Sequence, residues 1–202
     1  DREFRVAAGR IRDFLRNRLW DGAGLRRAMA GDRALGKATL EDYAYVAYGM
    51  AEYARLSGDP TDRTFVAALL NLAWQRFHGP GGWRRDDKPL IPGLGEKSAL
   101  LEGALPAPSA VLIRLALNSD DPALAAKADS AAAGARPQAQ AEPFWYAGHL
   151  AALLAAPSSR LAPTSAVSPA MATAPPKSSP ASALDAVSFC CSAQMPAERT
   201  NT

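Results

Sequence analysis

Apolar residues recur at helical intervals almost from the first position. Phe4, Ala7, Ile11, Phe14, Leu15 and Leu19 fall on one stripe, with Arg10, Arg12, Arg16 and Arg18 beside it. That spacing predicts an amphipathic helix over 2–20 whose arginines line its solvated face. Asp21-Gly22 and Gly24 stop it. A second helix is predicted to start at Thr39, with Asp42 placed to reach back to it as in a capping box, and to end at Gly58. A third, capped by Asp59 or Thr61, carries Phe65, Leu69, Leu72, Ala73 and Arg76 on a shared stripe and ends at Gly79. The short SGDP link between the two forces an antiparallel αα-hairpin.

Residues 79–108, GPGGWRRDDKPLIPGLGEKSALLEGALPAP, are too rich in Gly and Pro for a continuous helix and too long for a plain connector. Helices are predicted again over about 106–118, after the capping run SDDP at 119–122, and over about 142–156. No segment alternates apolar and polar residues in a way that predicts a strand. The expectation is an all-α domain over 1–156. From Pro157 on, seven of the sixteen prolines and five charged residues lie in a stretch without apolar periodicity, which predicts a disordered tail over 157–202.

Repeated hairpins with alternating short and long links point to an α-solenoid or to its closed form, an α/α toroid. No fixed repeat of the tetratricopeptide kind is found. In a toroid the long loops gather at one end and form a cavity mouth, which matches the contrast between SGDP and 79–108.

The residues then carry a family resemblance. LEDYAYVAYGMAEYARLSGDPTDRTFVAALLNLAWQRFHGPGGW, followed by EGALPAPSAVLIRLAL, resembles the C-terminal part of the thioredoxin-domain-containing family that includes the spermatogenesis-associated thioredoxin-like proteins. Leu40 to Ala44, Ser57 to Asp59, Gly81 to Trp83 and Glu102 to Ala110 correspond to the family's short motifs in order. Two departures stand out: Glu102 replaces the usual Asp, and Ala107-Pro108-Ser109 replaces Ser-Gly-Asn. The resemblance implies part of an (α/α)6 barrel of the six-hairpin glycosidase kind. It also implies that this chain is a C-terminal fragment of the family pattern, lacking the thioredoxin-like domain and leaving the ring open. A carbohydrate-related role follows from it as an expectation. A non-catalytic helical domain that binds a protein partner is the alternative.

Glu41 and Asp42 suit the first turn of a helix, where negative charge meets exposed amides, yet the same helix start would face a toroid's cavity. Adjacent helical residues diverge by about 100°, so at most one can point inward, and Asp42 is the choice. Glycoside chemistry needs a second carboxylate, for which Glu102 is the candidate. Around this catalytic pair, the expected substrate contacts are Glu41, Tyr43, Trp83, Arg84, Ser109 and Trp145, with Trp83 offering an apolar face to a sugar ring. A solvated loop acid for Glu102, a core plug for Trp83 and a packing role for His149 are the plain alternatives.

The net charge is +3, and residues 1–37 hold nine Arg and one Lys against five acids. No stacking aromatics or recognition motif accompany them, so a nucleic-acid partner is not expected. Gly93-Leu94-Gly95 follows no strand and is no nucleotide fingerprint. Cys190 and Cys191 are adjacent, which excludes a C-x-x-C pair and a spaced metal site. No metal or cofactor is expected, and epimerase chemistry is disfavoured with only His78 and His149 to move protons. Apolar runs are too short for membrane insertion. The lack of a disulfide framework favours a cytoplasmic location.

Overall fold

A computed structural model describes residues 2–87 and 100–156. The predicted tail over 157–202 lies outside them, as does Gly93-Leu94-Gly95. The described chain is all-α, with two small hairpins of strand added. In order it forms α1 (Arg2–Phe14), a π-helical turn (Leu15–Leu19), β1 (Arg26–Ala30), β2 (Arg33–Lys37), α2 (Leu40–Ser57), α3 (Pro60–Phe77), β3 (His78–Gly79), β4 (Gly82–Trp83), α4 (Pro108–Leu117), α5 (Pro122–Gly134), α6 (Arg136–Ala141) and α7 (Ala147–Ala155).

The helix boundaries follow local chemistry. Asp42 accepts hydrogen bonds from the Thr39 amide (2.7 Å) and hydroxyl (2.9 Å), so α2 begins at the capping-box threonine, as predicted. Gly58 ends α2 at φ +71°, a left-handed cap that disfavours a side chain. Asp59 caps α3 by accepting from the Thr61 amide at 2.8 Å, and Asp121 caps α5 through the amides of Ala123 and Leu124. Both helices place proline in their first turn, where the missing N–H costs nothing.

Helix α2 packs against both α3 and α4, and α4 packs in turn against α5 and α7. The core runs through these contacts, with Leu40, Ala44, Ala47 and Met50 of α2 meeting Leu69, Ala73 and Phe77 of α3 and Leu112, Ile113 and Ala116 of α4. Alanines at these crossings let the helix axes approach closely.

Three expectations need correction. First, residues 26–37 form a β-hairpin, closed by the two-residue turn Gly31-Asp32 between Ala30 and Arg33. The Gly-Asp pair is a hairpin signal. It was masked because both strands are mostly exposed and show no apolar alternation.

Second, α1 lies on the body by a different face from the one predicted. Phe4 and Ile11 are 74% and 61% exposed, and Phe14 is exposed with them, whereas Leu15 and Leu19 turn inward. The helix is held by its arginines. Asp62, wholly buried, pairs with Arg12 Nε at 3.1 Å and Arg16 Nη1 at 2.9 Å, and it accepts from the Ser57 hydroxyl at 3.2 Å. Arg12 also sits over the Tyr53 ring and Arg16 over Phe65. These two arginines are therefore anchors, and the solvated-face reading fails for them.

Third, α6 was not anticipated, and the last helix starts at Ala147, after turns over 142–146. The Asp62 cluster gives a direct test. Asp62→Ala leaves two guanidinium groups without their shared carboxylate and is expected to cost about 3 kcal/mol, against about 1 kcal/mol for Arg16→Ala, as read by urea denaturation.

Candidate functional site

The starts of α2, α4 and α7 gather at one end of the molecule, together with the loops that precede them. The Leu40 amide donates to the Arg85 carbonyl at 2.9 Å, which joins the start of α2 to the segment after β4. Tyr45, one turn into α2, donates its hydroxyl to the Pro106 carbonyl at 2.8 Å, just ahead of α4. The Glu102 amide donates to the Trp145 carbonyl at 3.0 Å, and its carboxylate accepts from the Gly148 amide in the first turn of α7. A side chain at position 148 would displace that carboxylate. The three helices thus run parallel from a common end.

The predicted residues divide sharply at this end. Asp42 is engaged in capping α2 and Glu102 in capping α7, so both proposed catalytic carboxylates hold backbone or hydroxyl donors. Tyr43 is wholly buried. Its hydroxyl accepts from the Leu25 amide at 2.8 Å and from Arg76 at 3.2 Å, and burial, the largest effect, raises its pKa. Arg76 also donates to the Ala23 carbonyl, crossing so near Gly24 that a Cβ there would strike the guanidinium.

Trp83 is 6% exposed and packs edge-on against Trp74, with centroids 4.7 Å apart; it is the core plug and no sugar platform. Arg84 is half-buried and donates from Nε to the Arg76 carbonyl at 2.8 Å. Glu41 stays at the surface in an ion pair with Arg85 at 2.9 Å. Trp145 is 51% exposed and meets the exposed Phe144 edge-on at 5.2 Å. Of the eight predicted positions, Trp145 is the one exposed at this end, with Glu41 half-buried beside Arg85.

Burial, the largest effect, raises the Tyr45 pKa, and the charges of Glu41 and Glu102 add to that shift. Arg85 pairs with Glu41 beside the start of α2.

Ser109 and His149, both wholly buried, form a second pair, with Oγ and Nε2 3.1 Å apart. His149 Nδ1 has no hydrogen-bond partner among the described residues. Burial lowers the His149 pKa to about 4, so the ring is neutral at physiological pH. Forty positions of sequence separate the two residues, and no short-range pattern announces such a pair. Its burial away from solvent makes it a packing feature of the α4–α7 contact and no nucleophile. Among the described residues no group of His, Cys, Asp and Glu is placed to hold a metal ion, and no helix is long and apolar enough to cross a membrane.

Comparison with models of known families, with curated proteins and with solved structures finds no match.

The neutral His149 has a measurable consequence. Its ordinary pKa of 6.5 is lowered on folding, so the unfolded chain takes up the proton first. The stability it contributes is full above pH 6.5 and declines as pH falls toward 4. Between pH 7 and pH 4.5 the protein is expected to lose about 2 to 3 kcal/mol more stability than a His149→Leu variant, measured by urea denaturation at both pH values.

Proposed function

We propose that this chain is a carbohydrate-related helical-hairpin domain of the six-hairpin kind, resembling the C-terminal part of the thioredoxin-domain-containing family, and that it recognises sugar without hydrolysing it. The common start of α2, α4 and α7 supports the reading most strongly. Parallel helices alternating with antiparallel returns, and loops collected at their shared end, are what an α/α array requires of its ligand face.

The chemistry of that end favours binding. Trp145 offers a half-exposed indole, and Glu41 and Arg85, paired beside the start of α2, supply polar groups to the same end. Aromatic faces hold sugar rings by their apolar C–H surfaces while carboxylates accept from hydroxyls. Hydrolysis asks for one protonated and one ionised carboxyl flanking the bond. Asp42 and Glu102 are instead occupied by helix termini. Calorimetric titration with neutral oligosaccharides tests the reading: saturable binding is expected, with Trp145→Ala weakening it by about 1 kcal/mol. Absence of heat for every sugar, or equal binding by the variant, would reject it.

A second reading, a protein-interaction domain, is favoured by one observation: Phe4 and Ile11 on α1 and Leu56 on α2 are large apolar side chains left open to solvent.

A further inference from the structure

Helices α3 and α5 are separated by a groove. One part of it, a half-open concavity of about 910 Å³, has Val66 and Leu70 of α3, Leu115 of α4 and Leu124 of α5 in its apolar lining. A neighbouring concavity of about 560 Å³ is lined by Asn71, Trp74, Gln75, His78, Leu124 and Lys127. Asn71 and Leu124 line both, so the two adjoin at these side chains.

The second part has a one-sided chemistry. Its polar side chains include an ammonium, an imidazole and two carboxamides, and no carboxylate is among its lining residues. Lys127 lies exposed on α5 and makes no ion pair among the described residues. Across from it, the His78 ring is fixed between the rings of Trp74 and Trp83, with centroids 4.9 and 4.8 Å away. A cation facing a positioned imidazole without a neutralising acid is a place where an oxyanion is favoured.

We infer that this groove binds an amphipathic small molecule with an oxyanion head, carboxylate or phosphate, seated between His78 and Lys127, and an apolar body laid over Leu124, Leu70 and Val66. The first concavity is lined by Glu52, Asp120 and Asp121 as well as by Arg55 and Arg63, whereas the second has no acid in its lining, so the negative head is assigned to the second and the apolar body to the leucines. Each concavity lies within the size range of small-molecule sites. The inference is independent of the carbohydrate reading, which rests on Trp145 and Glu41, neither of which lines this groove.

The chain's two histidines make the test direct. Burial, and then the charge of Lys127, lowers the His78 pKa, and a bound oxyanion opposes that effect. Imidazole resonances of isotopically labelled protein are followed by NMR during titration with octyl phosphate below its micelle concentration, with inorganic phosphate and octyl glucoside as parallel probes. Octyl phosphate is expected to shift the His78 signals saturably and raise that residue's pKa, leaving those of buried His149 in place. Lys127→Met, an exposed change whose folding is checked by circular dichroism, should weaken binding about tenfold. Ala67→Glu, which adds an acid beside the apolar stretch, should weaken octyl phosphate and leave inorganic phosphate unchanged.

Four results would overturn the inference. They are no saturable His78 shift, unchanged affinity in Lys127→Met, equal affinity for octyl glucoside, and inorganic phosphate binding as tightly as octyl phosphate.

Discussion

The first-turn amides of a helix have no partners within the helix, and in this molecule three helices place such turns at one end. The rest of that end is organised by the need to satisfy them. Asp42 serves α2 by holding Thr39 in its cap, and Glu102, reaching from the loop before α4, closes the first turn of α7 at Gly148. Proline at the first position of α4 removes one donor outright. Because these caps come partly from other segments, they also tie the elements together: one carboxylate joins the 100–106 loop to α7, and one backbone pair joins α2 to Arg85. Negative charge drawn to helix starts by their dipoles resembles a catalytic pair in the sequence, and here it is structural.

The opposite end is fixed by a different device. Asp62 is buried one turn into α3, and its charge is met by Arg12 and Arg16 from α1 and by Ser57 from the end of α2. A buried carboxylate without such partners would cost several kcal/mol. The cluster therefore constrains where α1 lies. Docking by the arginine side turns Phe4, Ala7, Ile11 and Phe14 outward, which explains why a strongly amphipathic helix leaves its apolar stripe in solvent.

Local chemistry made much of this legible in advance. Thr39 and Gly58 bracket α2, Asp59 and Asp121 cap the helices after the two short links, and apolar spacing identifies Phe65, Leu69 and Ala73 as the buried stripe of α3. What escaped depends on contacts distant in sequence. Nothing local to Tyr43 tells that its hydroxyl meets the Leu25 amide and Arg76, and nothing near Trp83 tells that Trp74 covers it. Arg12 and Arg16 look solvated until the residue 46 to 50 positions away that neutralises them is known. The hairpin over 26–37 is a case of a correct turn signal outweighed by strands with little apolar content. Family resemblance oriented the reading toward the loop-rich end, and the geometry there retained Glu41, Glu102 and Trp145 at its surface or edge while moving Tyr43, Trp83 and Ser109 into the core.

The capping role of Glu102 is the central claim, and hydrogen exchange at the Gly148 amide tests it most directly. In the intact protein that amide is held by the Glu102 carboxylate and should exchange slowly. In Glu102→Ala it should lose its protection together with the first turn of α7, while the amides of α2 keep theirs. Unchanged protection at Gly148 in the variant would contradict the claim and return Glu102 to the pool of carboxylates available for chemistry.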